Sequence, residues 1–259
     1  MSGASEIQLE ARPPRPDGRS PLPAPLWRLH SDAVNKRLLE RWLPGSVDSL
    51  LKTDLYDESV SGGLYPLLAG RAQRVVGIDV SAQVAALARE RHRGIEATLA
   101  DVRALPFEPG SFDGVVSNST LDHLADESQV ARALAEMARV LRVGGHLVIT
   151  LDNPLNPLLA VRNRLPAATA TRLRRGFPYE AGWTCGPRRL RALLGEAGLE
   201  VRAQTAILHA PRALVALRDR GSPGADRRAL RLLRAAEALE RLPTRYLSGH
   251  FIAAHAMLR

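Results

Sequence analysis

Three aspartates stand where they could hold one polar ligand together. Asp54 follows the apolar run SLLK, Asp79 closes RVVGID, and Asp101 follows EATLA. Each run has the length of a β-strand, and the carboxyl ends of parallel strands meet at one edge of an open sheet, where ligands bind. A carboxylate at the end of a second strand suits a ribose, because it can accept hydrogen bonds from both vicinal hydroxyls. The spacing therefore predicts a site for a ribose-containing ligand at one sheet edge.

The segments that must position these acids alternate between strand and helix patterns. Apolar runs of strand length occupy 47–53, 74–78, 96–99, 112–117, 145–151, 199–209 and 249–258. Helical patterns occupy 32–42, 64–70, 82–92, 127–142, 187–197 and 211–241. Alternation of this kind is typical of parallel strands joined by crossover helices. It predicts an open α/β sheet with helices on both faces.

The same pass along the chain predicts its domain organisation. With 259 residues, 45% of them hydrophobic, the chain can bury a sizeable core. Its start contains PPRPDG and PLPAPL, which favour extended polyproline, so we expect a flexible arm over 1–30. Residues 31–259 then form one domain, in which segments 153–186 and 211–246 break the alternation and are predicted to form a helical cap.

Composition limits the classes of partner. The net charge is +9, but 34 of the 36 basic residues are arginines scattered along helices, and aromatics make up only 4% of the chain. Because base stacking needs aromatic side chains, solvated helix faces are favoured over a nucleic-acid site. The single cysteine, Cys185, and the absence of paired metal-ligand spacings predict no metal site. No run approaches the roughly 20 apolar residues that span a bilayer, and no signal peptide is evident, so we expect a cytoplasmic protein without membrane insertion.

Three stretches in the middle of the chain resemble a known family. They read VVGIDVSAQVAALARER, ATLADVRALPFEPGSFDGVVSNSTLDHLAD and VARALAEMARVLRVGGHLVITLDNP. Over roughly 47–152 the sequence is similar to class I S-adenosylmethionine-dependent methyltransferases, in the small-molecule group of ubiquinone and menaquinone methylases. The resemblance implies a Rossmann-like, seven-stranded sheet whose last strand is antiparallel.

The resemblance also implies which residues bind S-adenosylmethionine. Asp79, with Val80 beside it, is expected on the ribose. Asp101 and the backbone of Val102 are expected around the adenine, and Asn118 beside the methionine part.

The loop after the first strand departs from the family pattern. A glycine-rich turn is expected there, but Asp54 is followed by LYDESVS before Gly62 and Gly63. A dinucleotide pyrophosphate needs backbone amides in a tight glycine turn and would be repelled by these acids, which argues against NAD or FAD. S-adenosylmethionine carries a sulfonium and an ammonium, so nearby carboxylates attract it. Lys52 either supplies a cation for its carboxylate or is an outward strand residue paired with a neighbouring acid, and Gly62 and Gly63 are the predicted close-approach point.

Methyl transfer to oxygen or nitrogen needs alignment and removal of a proton from the acceptor. His123, in STLDHLAD, is the candidate general base; the alternative is a loop histidine bonded to its own backbone. Candidate substrate contacts come from the predicted rim and cap: Asn153, Tyr179, Trp183 and His209.

The leading hypothesis is a methyltransferase acting on a small molecule, with oxygen favoured as the methylated atom. An apolar wall with an arginine rim would suit an acidic or phosphorylated metabolite, a glycoside or a quinone-like ring. One alternative is a catalytically inactive protein of the same fold with a binding or regulatory role, which the loop without glycines supports. A less favoured alternative is an RNA methyltransferase, supported by charge alone.

Overall fold

The computed structural model describes residues 25–164, 182–210 and 223–259. These residues contain one seven-stranded sheet. Its strands are β1 (Val47–Lys52), β2 (Ala72–Asp79), β3 (Ile95–Leu99), β4 (Phe112–Asn118), β5 (Leu141–Asp152), β6 (Leu199–Ile207) and β7 (Phe251–Leu258). All seven predicted strands are present, and their type and order along the chain are confirmed.

The order of strands across the sheet is β3-β2-β1-β4-β5-β7-β6. Neighbouring pairs are parallel from β3 to β5, whereas β7 runs antiparallel to both β5 and β6. The predicted Rossmann-like sheet with an antiparallel last strand is therefore confirmed. The strand order reverses between β1 and β4, and in open α/β sheets such a switch point opens a crevice beyond the carboxyl ends of the strands.

Helices cover both faces of the sheet, as the alternating pattern predicts. The described helices are α1 (Pro25–Trp42), α2 (Tyr56–Val60), α3 (Tyr65–Ala69), α4 (Ala82–Arg91), α5 (Glu127–Val140), α6 (Pro157–Arg164), α7 (Pro187–Glu196), α8 (Pro223–Ala236) and α9 (Arg245–Ser248). One apolar layer packs α5 and α7 against the sheet, and the other packs α1, α3, α4 and α8. Along α5 the apolar residues recur at helical spacing, so one face is buried and the other is polar. Among the described residues, no helix is long and apolar enough to cross a membrane.

Helix α1 begins seven residues earlier than the pattern predicted. It starts at Pro25, a residue whose fixed φ suits the first helical turn. Trp27 and His30 are buried, and His30 Nε2 lies 2.9 Å from Glu237 Oε1. Residues 25–30, assigned to the flexible arm by composition, therefore belong to the folded domain, because tertiary contacts with the later chain order them. The rest of the predicted arm lies outside the described residues.

Two further predictions were wrong, one missed helix and one strand boundary. The short helix α2 falls in the acidic loop, where no helix was predicted. Strand β5 begins at Leu141, four residues before its predicted start, because Leu141 already pairs with Phe112 of β4, ahead of an irregular stretch that ends where His146 pairs with Gly114. The predicted caps at 153–186 and 211–246 are described only in part, so the cap itself stays a prediction.

Two histidines stack at the opposite, amino-terminal part of the sheet. His146 on β5 and His255 on β7 lie with ring centroids 5.1 Å apart and with 2.8 Å between Nδ1 and Nε2. Trp42 also stacks on His255, with ring centroids 6.0 Å apart. Burial, together with the charges of His146 and Arg202, lowers the pKa of His255 to about 4. The stack is therefore built around neutral imidazoles.

This pKa predicts a component of acid sensitivity. His255 takes up a proton near pH 6.5 when unfolded but only near pH 4 when folded, so its contribution to stability is lost as the pH falls from 6.5 towards 4. We expect the wild-type protein to lose about 1–3 kcal/mol more than His255→Gln between pH 7 and pH 4. Urea unfolding of both proteins at several pH values measures the difference. Parallel pH dependences in the two proteins would contradict the prediction.

Candidate functional site

Two of the predicted acids bond to consecutive amides of one turn. Asp79 Oδ2 accepts a hydrogen bond from the Leu55 amide at 3.1 Å, and Asp54 Oδ1 accepts one from the Tyr56 amide at 3.0 Å. The other oxygen of Asp79 accepts from the Ser81 amide at 2.8 Å, just before α4. The structure thus brings Asp54 and Asp79 together at the carboxyl ends of β1 and β2.

Burial raises the pKa of both carboxyls. The pKa of Asp54 rises to about 6, because burial and the charges of Asp79 and Asp57 outweigh the opposing effect of Lys52. The pKa of Asp79 is also raised by burial, although its bonds from the Ser81 and Leu55 amides oppose the rise. The two carboxyls therefore favour a positively charged ligand at the carboxyl ends of β1 and β2.

The acidic loop folds around a buried ion pair. Lys52 Nζ lies 3.0 Å from Glu58 Oε2, and the two side chains are 3% and 0% exposed. Glu58 Oε1 accepts from the Leu64 amide at 2.9 Å, and Lys52 also donates to the Asp54 carbonyl. Burial alone would lower the pKa of Lys52, but Glu58, Asp54 and Asp57 outweigh it and raise that pKa. The pair ties the end of β1 to both ends of the loop.

The ion pair explains why a glycine occupies position 63. Gly63 has φ of 52°, and a Cβ there would overlap the Glu58 carboxylate. Gly62 is exposed, and an added Cβ would meet only Pro66 at 3.9 Å. Gly63 therefore gives room to Glu58 in this structure, and only Gly62 faces open space.

Lys52 consequently has an internal partner. Lys52 forms an ion pair with Glu58 and donates to the Asp54 carbonyl, so a ligand would share the ammonium with these two groups. Sequence reasoning missed Glu58. The available signal was Lys52 itself, because a lysine inside a buried strand needs an acid nearby.

Asp101 follows β3 and is held by its own neighbour. Arg103 Nε lies 3.0 Å from each carboxylate oxygen of Asp101, and the Arg103 amide donates to Oδ1 at 2.8 Å. Burial would raise the pKa of Asp101, but the bonds from Arg103 hold it below the usual value. Val102 is buried, whereas Val80, after Asp79, is 47% exposed. An adenine at Asp101 would share the carboxylate with Arg103.

Hydroxyl groups link the carboxyl ends of β1 and β4. Thr53 Oγ1 lies 3.0 Å from Ser117 Oγ and 2.9 Å from Thr120 Oγ1, so the ends of the two strands are linked. Asn118 ends β4, and its Oδ1 is buried without a hydrogen-bond partner among the described residues. An unpaired acceptor at a switch point fits a ligand that brings a donor.

His123 lies on the turn that follows this crevice. It is exposed at the end of a 3₁₀ helix, Leu121–His123. The preceding Asp122 is fully buried; its Oδ2 accepts from Ser119 Oγ at 2.7 Å, and its Oδ1 has no hydrogen-bond partner in the described part of the chain. Burial and the charge of Asp152 raise the pKa of Asp122 to about 6, while His123 opposes the rise.

The predicted rim residues lie in different surroundings. The Gly182 amide donates to the Asp122 carbonyl and the Trp183 amide to the Leu124 carbonyl, both at 2.7 Å, so Trp183 lies beside the His123 turn. A Cβ on Gly182 would overlap the Leu124 carbonyl, so glycine is required for this close approach. Tyr179 lies outside the described residues.

Asn153 and His209 are buried rather than at the rim. Asn153 Nδ2 donates to the Tyr246 and Gly249 carbonyls, and its Oδ1 accepts from the Leu155 amide. His209 Nδ1 lies 2.8 Å from Ser248 Oγ, and Nε2 lies 2.9 Å from the Ala206 carbonyl. Both side chains tie α9 and the chain around it to the strand ends, and contact with a substrate would require these bonds to break.

Comparisons with known proteins find similarity to methyltransferases over part of the chain. A family model described as "Methyltransferase domain" matches residues 59–149. A 2-phytyl-1,4-naphtoquinone methyltransferase of Thermosynechococcus vestitus is 35% identical over 136 residues, covering 49% of this chain and 59% of that protein. Probable tRNA methyltransferase 9B of Homo sapiens is 32% identical over 114 residues, covering 44% of this chain and 23% of that protein. The matched part is thus less than two thirds of either relative.

A solved structure shares the fold. It is the geranyl diphosphate C-methyltransferase of Streptomyces coelicolor A3(2), with Mg²⁺, geranyl diphosphate and S-adenosyl-L-homocysteine bound. The TM-score is 0.59 at 16% sequence identity, covering 87% of this chain and 77% of that chain. Within the described residues, no group of three or more His, Cys, Asp or Glu side chains could hold a metal ion.

The buried ion pair predicts strong coupling between two positions. Lys52→Met or Glu58→Gln alone removes one partner of the pair, and we expect each to cost about 3–5 kcal/mol of unfolding free energy. The double variant should lose less than the sum, because no buried charge is left alone. Urea denaturation measures all three.

A matched control tests whether burial is the cause. Arg74 and Glu96 form a comparable pair at 2.7 Å, but their side chains are 46% and 55% exposed. Arg74→Met should cost only about 0–1 kcal/mol. Equal losses for Arg74→Met and Lys52→Met would contradict the assignment of a buried, structural pair.

Proposed function

We propose that this chain, which is similar to class I S-adenosylmethionine-dependent methyltransferases, binds S-adenosylmethionine at the carboxyl edge of its sheet and methylates a small molecule. The observation that carries the proposal is the placement of Asp79. Its carboxylate ends β2, the neighbour of β1 in the sheet, and is fixed by two backbone amides. A fixed carboxylate in this place is what recognition of a ribose requires.

The remaining candidate contacts fit the parts of the cofactor. Each oxygen of Asp79 accepts one amide and keeps a lone pair for a ribose hydroxyl. Val80 offers an exposed apolar surface next to it, and Asp101 with Val102 lies at the end of the neighbouring strand. The unpaired Oδ1 of Asn118 can accept from the ammonium of the methionine part.

The loop contacts complete this assignment. Asp54 attracts the positive end of the cofactor, the Lys52 ammonium attracts its carboxylate, and Gly62 and Gly63 border the loop. These roles rest on charge and position, since the family's glycine turn is replaced here by a loop built on the Lys52 and Glu58 pair.

Residues of this chain would then remove the proton from the acceptor. When bound, the cofactor supplies an electrophilic methyl group. His123 stands exposed on the turn after β4, where its imidazole can take a proton from an acceptor hydroxyl. A hydroxyl needs such a base more than a carbon nucleophile does, so we propose O-methylation. Trp183, half-buried beside the same turn, can provide an apolar contact for the acceptor.

Small molecules are favoured as acceptors by one relative, and RNA by another. The naphthoquinone methyltransferase matches more of its own length than does the probable tRNA methyltransferase, and the interior of the described site is acidic. Carboxylates at a site repel a phosphate backbone, so RNA is the second candidate. Steep loss of tRNA binding with increasing salt, together with methylation of tRNA, would reverse this order.

Cofactor binding is the first test. We expect S-adenosylmethionine to bind by calorimetry and Asp79→Asn to weaken binding about 10–100-fold, through loss of charge-assisted hydrogen bonds worth about 1.5–3 kcal/mol. Asp48→Asn, an exposed acid at the start of β1, should leave the affinity unchanged. Absence of binding by the folded wild-type protein would leave an inactive protein of this fold as the better reading.

The role of His123 is tested by turnover. With transfer of labelled methyl groups to a panel of phenols and hydroxylated metabolites, His123→Ala should keep the cofactor affinity and lower turnover roughly 10²–10⁴-fold. His146→Gln, at the opposite part of the sheet, serves as the control histidine. Turnover of His123→Ala within about twofold of the wild type would exclude this histidine as the base.

A further inference from the structure

We propose that the carboxylates at this sheet edge make the site select S-adenosylmethionine over its product S-adenosylhomocysteine by charge. The inference rests on the proposed function, because it concerns the same cofactor site. The two ligands share the adenine, the ribose and the amino acid, and they differ by one methyl group and one positive charge. A site with unbalanced negative charge therefore distinguishes them even where every other contact is the same.

The first source of negative charge is the turn after β1. Asp54 and Asp79 accept hydrogen bonds from consecutive amides, those of Tyr56 and Leu55, at 3.0 and 3.1 Å. Two carboxylates that bind one turn lie close together, and their mutual repulsion contributes to the raised pKa of Asp54. A cation beside this turn relieves that repulsion.

Lys52, the buried cation at the end of β1, does not balance the charge of this turn. Lys52 is fully buried and lies 3.0 Å from Glu58, which is buried with it. Three carboxylates, those of Asp54, Glu58 and Asp79, thus face one ammonium, and the closest pairing is with Glu58. The charge of Lys52 is offset by that of Glu58. Asp54 and Asp79 therefore leave an excess of negative charge at this sheet edge.

A fourth carboxylate, that of the buried Asp122, lies on the turn that follows β4. Thr120 Oγ1 lies 2.9 Å from Thr53 Oγ1, which joins the His123 turn to the residue before Asp54. On that turn Asp122 is fully buried, and its Oδ1 has no hydrogen-bond partner among the described residues. Asn118, which ends β4, has a second buried acceptor without a donor. Buried acceptors without a donor among the described residues therefore lie at the end of β4 and on the turn that follows it, close to the end of β1.

The expected discrimination follows from the strength of such interactions. A unit charge placed a few ångströms from a partly buried carboxylate changes a binding constant by about tenfold or more. Loss of the charge on methyl transfer would weaken binding of the product by the same factor, so the geometry favours release of the spent cofactor.

Calorimetry on the wild-type protein tests the inference directly. At pH 8 and low salt, we expect S-adenosylmethionine to bind about tenfold more tightly than S-adenosylhomocysteine. Sinefungin, which carries an amine-bearing carbon where the cofactor carries the sulfonium, should bind with the charged ligand and not with the thioether. Equal or tighter binding of S-adenosylhomocysteine would overturn the inference.

A pair of variants assigns the effect to the site. Asp54→Asn should reduce the ratio of the two dissociation constants about threefold to tenfold, chiefly by weakening the charged ligand. Asp48→Asn removes the same charge from an exposed position at the other end of β1 and should leave the ratio unchanged. The wild-type comparison needs no variant, so a folding defect in Asp54→Asn does not remove the test.

The outcomes also separate this inference from the proposed function. Failure of all three ligands to bind the folded protein would remove both. Binding of all three without preference for charge would leave the proposed cofactor site standing and refute the selectivity.

Discussion

The carboxylate of Asp79 is the interaction on which the site depends. One oxygen holds the turn after β1, and the other holds the turn that begins α4, so two loops from neighbouring strands are fixed by one side chain. Because the bonds are to backbone amides, the arrangement is insensitive to the side chains of the loops. The turn after β1 can therefore lack the glycine-rich sequence and still place its backbone amide against Asp79.

The fold could be predicted from the sequence almost completely. The alternation of apolar runs and helical patterns reports burial along the chain, and burial determines a parallel sheet with helices on both faces. The start of α1 could not be predicted, because Trp27 and His30 are ordered by partners more than 200 residues away in the chain. Helix α2 was missed for a related reason: it is short and mostly polar, and its Glu58 is held by a contact with Lys52 outside the helix.

The site was predictable in position but not in its internal pairing. The acids at the ends of β1, β2 and β3 could be identified because strand ends are visible in the sequence. That Arg103 would engage Asp101, and that Asn153 and His209 would bind backbone carbonyls in the interior, depends on side-chain orientation, which periodicity does not encode. Asp122 could be noticed beside His123, but its complete burial could not.

The Lys52 and Glu58 pair has a consequence for the history of this loop. Replacing either residue first would leave one buried charge without its partner, which destabilises the fold. A change between the glycine-rich turn and this loop, in either direction, therefore requires both positions to change together. The two positions and Gly63, which makes room for the glutamate, should be inherited as a set. Homologous chains are therefore expected to fall into two groups, one with all three residues and one with the short turn, and intermediate sequences should be rare.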